Sequence, residues 1–226
     1  MKYLPLFPLN TVLFPGLPLY LHIFEERYKL MIKEVMDAER TFGVLLIRSG
    51  QEANGPLAQT FTIGCTARLL RVETLPDGNM NLTAIGEERY RVEKYNQQMP
   101  YLRGEVESIP IEIISDLTRF KDASSPFRSL ILRYLSQLGE VSARQDPSLT
   151  AQTRDPIQLP EDPFRLLMAA CALLRVPMVE KQRLLELSSV EEILDAAVRL
   201  YQREYAVNIN LMDISEEVAR RSSQLN

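Results

Sequence analysis

The opening of the chain, Pro5-Leu6-Phe7-Pro8-Leu9-Asn10-Thr11-Val12-Leu13-Phe14-Pro15-Gly16-Leu17-Pro18, constrains the fold more than any other stretch. Four prolines and one glycine fall within fourteen residues. Proline locks φ and glycine admits positive φ, so the direction of the backbone is tightly set here. An apolar strand runs into a Pro-Gly-x-Pro break, and Leu19-Tyr20-Leu21-His22-Ile23 resumes as a second strand. Glu25-Glu26 then leads an amphipathic helix, roughly Phe24 to Glu39, with Phe24, Tyr28, Met31, Ile32 and Val35 at helical spacing.

The rest of the first half is β-patterned. Phe42 to Ile47 is a short continuous apolar run, as a buried strand requires. Ile63 to Glu73 runs into Pro76-Asp77-Gly78-Asn79, and Met80 to Gly86 returns. That turn supplies in order a fixed φ, an Asx hydrogen bond and a positive φ, so a hairpin is expected. Two more strands fit Tyr90 to Tyr95 and Tyr101 to Ile109. Beyond Ile111 the alternating pattern gives way to a helical one. Ser125-Pro126 reads as a cap and first helical position, followed by the stripe Phe127, Leu130, Ile131, Tyr134 and Leu138 up to Gly139. Residues 140–160 are polar and proline-bearing and read as a long link. Asp162-Pro163 repeats the cap signal before a nearly all-apolar helix, Phe164 to Arg175, which belongs inside a bundle. Ser189 and Glu192 have capping-box spacing. The expected fold is α+β: a mostly antiparallel β-barrel-like part with one helix over residues 1–110, then a helical bundle over residues 115–226.

With 26 basic against 30 acidic residues and a net charge of −4, the chain lacks the basic face that phosphate-backbone binding needs. Arg68, Arg71, Arg89 and Arg91 cluster on or near the hairpin, but Glu73, Glu87, Glu88 and Glu93 interleave with them, which argues for paired surface charge. No signal-peptide layout and no long apolar run appear, so a cytoplasmic protein with no membrane segment is expected. His22 is the only histidine, which excludes a His-His metal site and a Ser-His-Asp triad; it reads as a hydrogen-bonded structural residue. Cys65 and Cys171 sit in apolar runs and read as small hydrophobes, not reactive thiolates. Glu25-Glu26 and Glu87-Glu88 are neighbours in sequence; on a strand such neighbours point to opposite faces, so neither pair reads as a catalytic dyad. No catalytic residue, metal site or cofactor is assigned.

Several segments, in order, resemble the substrate-binding (LON) domain of Lon proteases. The Pro5–Leu9 and Val12–Gly16 pair is similar to that family's first strands. Ile63-Gly64-Cys65-Thr66-Ala67 with Leu75-Pro76-Asp77-Gly78 resembles its hairpin. Ile85-Gly86-Glu87-Glu88-Arg89-Tyr90-Arg91-Val92 is similar to the stretch where a glycine and an arginine recur. Pro100 to Val106 resembles its last strand, and Lys181 to Leu187 with the next helix resembles its helical bundle. The resemblance covers roughly residues 3–205 and implies a PUA-like barrel, a non-catalytic recognition role and a polypeptide or protein partner. No Gly-x-x-x-x-Gly-Lys-[Ser/Thr] phosphate loop occurs, so a free-standing, non-enzymatic LON-domain protein is expected.

Two readings compete for the ligand. One is an unfolded polypeptide or protein partner; the other is RNA or a small molecule on a PUA-like regulatory module. For the first, contact should be apolar and sequence-tolerant, which aromatic and Met side chains serve well. Phe14, Leu17, Tyr20, Met99 and Tyr101, at turns of the β part, are the candidate contacts. Val207, Leu211, Ile214 and Val218 form a short heptad-like stripe that packs on the bundle or on a second copy of the chain, with packing in cis the expected outcome.

Overall fold

The computed structural model describes residues 2–50, 58–112, 117–145 and 158–223. The elements are β1 Lys2–Leu9, β2 Pro18–Ile23, α1 Glu26–Asp37, β3 Thr41–Ser49, β4 Gln59–Thr60, β5 Ile63–Thr74, β6 Met80–Asn96 and β7 Leu102–Ser108, then α2 Leu117–Gln145, α3 Pro163–Leu173, α4 Met178–Glu186 and α5 Val190–Ser223. The class is α+β. Among the described residues no strand of the sheet follows Ser108; a single bridge joins Glu112 to Ser189.

Five strands close a ring in the order β1-β7-β6-β5-β3, and β3 returns to β1. The β1–β3 pairing is parallel, with Leu6 opposite Gly43 and Leu9 opposite Leu46, and the other pairings are antiparallel. Closure gives each of those strands a partner on both sides over part of its length. The hairpin expected at Pro76–Asn79 is present. The Asp77 side chain accepts from the Asn79 amide at 2.9 Å, and Gly78 takes φ +80°. The two expected strands after it are one: β6 runs unbroken through Gly86, pairing with β2 at one end and β7 at the other.

α1 covers the barrel core with Tyr28, Met31, Ile32 and Val35. The Phe7 ring stacks on Tyr28 at 4.1 Å. Phe24 is not in this buried stripe: the helix begins at Glu26, with extended Glu25 as its N-cap, and Phe24 precedes it, exposed.

The bundle buries Phe127, Leu130, Ile131 and Tyr134 of α2 against Leu166, Leu167 and Cys171 of α3, Leu184 and Leu185 of α4, and Ile193, Ala197 and Tyr201 of α5. Two of the three expected caps are made; Ser125 lies inside α2 and caps nothing. Asp162 accepts from the Arg165 amide at 2.8 Å, while Ser189 and Glu192 bond reciprocally at 3.2 and 3.4 Å. α2 departs from expectation: it starts at Leu117, keeps Pro126 inside and passes Gly139 without ending. The packing of its central stripe fixes helical backbone on both sides, and this outweighs the hydrogen bond that an interior proline forfeits. The expected link falls largely on residues 146–157, outside the described residues. α5 stays helical to Ser223 and Val207 is exposed, while the side chains of Leu211, Ile214 and Val218 lie outside the described residues.

Barrel and bundle are joined by polar bonds as well as apolar contact. Arg89 of β6 is only 3% exposed. Its guanidinium donates to the carbonyls of Leu185 (2.8 Å), Leu187 and Pro110 (3.1 Å). The first two are orphan carbonyls at the end of α4, where a cation also suits the helix dipole. Gln182 of α4 donates to the Ile63 carbonyl of β5 at 2.9 Å. The Glu112 amide and carbonyl bond to Ser188 and Val190 at 2.9 and 3.1 Å.

Candidate functional site

The Pro15-Gly16 break does more than reverse the chain. Gly16 takes φ +77°, and its amide donates to the Gly86 carbonyl at 2.8 Å, while the Gly86 amide donates to Leu17 at 2.9 Å. A Cβ on Gly86 would meet the Phe14 carbonyl oxygen at 2.4 Å, so only glycine admits this approach. The clamp turns Phe14 into the bundle core and starts β2 in fixed register on β6.

On β2 the side chains then alternate. Leu19 and Ile23 are buried and Leu21 is partly buried, while Tyr20 and His22 face outward. Tyr20 is 72% exposed and Phe24, just past the strand, is 48% exposed. The His22 ring lies 6.4 Å from that of Phe24, and its Nδ1 bonds the Asn81 side chain at 2.9 Å, as expected of a structural histidine. Beside them a groove of about 280 Å³ is lined by Phe7 and Leu9 of β1, residues 21–24, and Glu25 and Tyr28 at the start of α1. The arrangement presents the Phe7, Phe24 and Tyr28 rings and apolar Leu9, Leu21 and Ile23, with His22 and Glu25 among them.

The five sequence candidates are not brought together. Tyr20 is the most exposed. Leu17 is partly buried between the barrel and bundle cores, and Met99 packs partly buried on the barrel core. Phe14 and Tyr101 are corrections: they are 1% and 0% exposed and present nothing to a partner. Tyr101 is held from inside, its hydroxyl donating to Glu34 of α1, which also pairs with Arg103 at 3.0 Å. Burial first, and then the Glu34 carboxylate, push the Tyr101 hydroxyl up to about 12. Sequence reasoning missed Phe24 as an exposed residue because its helical spacing placed it in the α1 stripe. The signal that finds it is Glu25-Glu26, whose acidic start marks the cap after it.

The four hairpin arginines do not form a basic surface. Arg89 is buried at the junction, Arg68 pairs with Glu87 at 2.5 Å, and Arg71 lies 3.9 Å from Glu73. A groove of about 400 Å³ nearby contains Glu87, Glu88 and Glu107 in its lining, a poor setting for phosphate. Both cysteines are buried; burial pushes the Cys171 thiol up to about 12 and the Cys65 thiol further. Neither is poised as a thiolate nucleophile. Among the described residues no helix is long and apolar enough to cross a membrane.

The described residues form a closed β-ring bonded to a helical bundle, with Tyr20 and Phe24 exposed at its side. The chain belongs to the ATP-dependent protease La (LON) substrate-binding domain family, whose model matches residues 3–203. It is 25% identical over 201 residues to a Lon protease of Anaeromyxobacter dehalogenans, covering 88% of this chain and 23% of that protein. It is 28% identical over 225 residues to a Lon protease of Koribacter versatilis, covering 99% of this chain and 26% of that protein. The chain thus spans about a quarter of the length of these relatives. Its fold is shared with the crystal structure of a Lon N-terminal domain protein from Xanthomonas campestris. There the TM-score is 0.57 and the identity 20%, over 86% of this chain and 98% of that one. It is also shared with the N-terminal domain of the Mycobacterium avium complex Lon protease, with TM-score 0.59 and 18% identity, over 89% of this chain and 98% of that one.

Proposed function

We propose that this chain is a non-catalytic recognition module that binds unfolded or partly folded polypeptide in the cytoplasm, through the outer side of β2 and the residues leading into α1. The observation that carries this reading is Tyr20, an aromatic side chain 72% exposed on an ordered strand, with Phe24 exposed beside it. A monomeric fold gains nothing in stability from such exposure, and apolar groups clustered on a surface are the usual mark of a contact site. Membership of a substrate-binding family supports a polypeptide as the ligand. The net charge of −4 and the glutamates near the hairpin arginines disfavour RNA.

The test is titration of the pure protein with a reduced, alkylated globular protein, with the same protein in its native form, and with a single-stranded RNA. Binding to the unfolded form alone is expected. Tyr20→Ser with Phe24→Ser should weaken it at least about tenfold, a loss of ~1.4 kcal/mol, while the melting temperature stays within a few degrees. Binding to RNA in preference to unfolded protein would overturn the proposal.

A further inference from the structure

β2 has only one partner. It pairs with β6 from Pro18 opposite Ile85 to Ile23 opposite Met80, and among the described residues no strand pairs with its other edge. Each ring strand is paired on both sides over part of its length, whereas β2 is paired on one side throughout. Exposed edges are ordinarily blunted by charged side chains, bulges or a covering element. The β2 sequence, Pro18-Leu19-Tyr20-Leu21-His22-Ile23, carries no Asp, Glu, Lys or Arg. Its register on β6 has no bulge, in contrast to the β5–β6 and β6–β7 pairings. Proline at the first position is the one blunting device, and it leaves the following residues open.

The groove of about 280 Å³ touches residues 21–24 in succession. Side chains alternate between faces, so a groove that meets consecutive residues of a strand meets its edge, not one face. Its floor is supplied by Phe7, Leu9 and Tyr28. The volume lies just below the ~300–1,000 Å³ of typical small-molecule pockets. An open edge has a chemistry of its own: it offers backbone N–H and C=O groups at strand pitch, and only another extended backbone matches them.

We infer that the unpaired edge of β2 and its flanking groove take an extended polypeptide segment as an added strand, with alternate apolar side chains of the segment seated against Phe7, Leu9 and Phe24. The inference rests on the proposed polypeptide-binding reading and specifies its mode, β-strand addition. A single segment fits better than a second copy of this chain. Six residues at about 3.3 Å each make an edge of ~20 Å, which at a contact depth of ~10 Å offers roughly 200 Å². A stable dimer needs about 800 Å² from each partner. Backbone pairing also explains how one site tolerates many sequences, because the hydrogen bonds are common to all of them and only the alternate pockets select.

The experiment uses the full chain and a fluorescein-labelled peptide of about eight residues, alternating Phe and Thr with terminal lysines. Two further versions carry N-methyl groups on the Phe positions or on the Thr positions. In an extended segment, successive N–H groups point to opposite edges. One methylated version, and only one, therefore removes the donors that face β2. Fluorescence polarisation is expected to show at least tenfold weaker binding for one version and less than threefold for the other. Equal binding of all three, or equal loss in both methylated versions, would overturn strand addition and leave the polypeptide reading standing. No binding of the parent peptide would likewise overturn it. The titration with unfolded protein then decides separately whether the polypeptide reading fails as well.

Discussion

Arg89 shows how one side chain fixes a whole arrangement. It is charged, almost fully buried, and bonded to three carbonyls, two at the end of α4 and one, Pro110, in the segment after β7. Its burial lowers its affinity for a proton, yet an arginine starts so far above neutrality that it stays charged. Arg89→Met leaves those carbonyls without a donor, and each unsatisfied buried acceptor costs ~1–3 kcal/mol. A loss of about 3 kcal/mol or more is expected in urea unfolding, and Arg89→Lys should recover less than half, because one ammonium lacks the planar fork. Tyr101 gives a second expectation. Its hydroxyl titrates near 12 in the fold against an ordinary value of 10.0. The folded form holds the proton more tightly, so its contribution is full below pH 10 and is lost as pH rises from 10 to about 12. Buried Tyr90, Tyr134 and Tyr201 are shifted the same way. Melting temperature should therefore fall above pH 10, and Tyr101→Phe should flatten part of that fall. The sequence made Arg89 look like a surface charge and Tyr101 like an exposed turn residue. Both errors have one cause: their partners, Leu185 and Glu34, lie far away along the chain, and local pattern carries no information about them.

At the scale of elements, the hairpin turn and two of three caps are legible in sequence and strand continuity is not. The Pro76–Asn79 turn and the Asp162 and Ser189 caps follow from residue chemistry within a few positions. β6 looks like two strands in sequence because Gly86-Glu87-Glu88 interrupts the apolar pattern, but Gly86 is required by the approach of Phe14 and does not break the strand. α2 begins earlier than its sequence signals suggest, because proline at a first helical position and proline inside a longer helix look alike in sequence. That difference is testable. If Pro126 is interior, Pro126→Ala restores a backbone bond, and the melting temperature should rise by about 2–4 °C per kcal/mol regained. A lower melting temperature would place Pro126 at a helix start. The edge of β2 was not legible at all, because an edge is a property of which strands pair, and the ring closes through β1–β3 instead.

At the scale of the molecule, the α+β class followed from the change of periodicity near Ile111, whereas the tightness of the junction between the two parts did not. Phe14 enters the bundle core, Arg89 caps α4, and Glu112 pairs with the chain ahead of α5. Barrel and bundle should therefore unfold together. Urea transitions followed by far-ultraviolet circular dichroism and by tyrosine fluorescence are expected to coincide, and two separated transitions would show independent units. These contacts support the proposed recognition role, since they fix β2 on β6 with Tyr20 and its unpaired edge outward. The most direct test is to map the amide chemical shifts of the full chain as a reduced, alkylated protein is added. Perturbations are expected to gather at residues 18–28 and at the floor residues Phe7 and Leu9. Perturbations gathered instead along the Glu87–Ser108 groove or on the helical bundle, with residues 18–28 unmoved, would contradict the account.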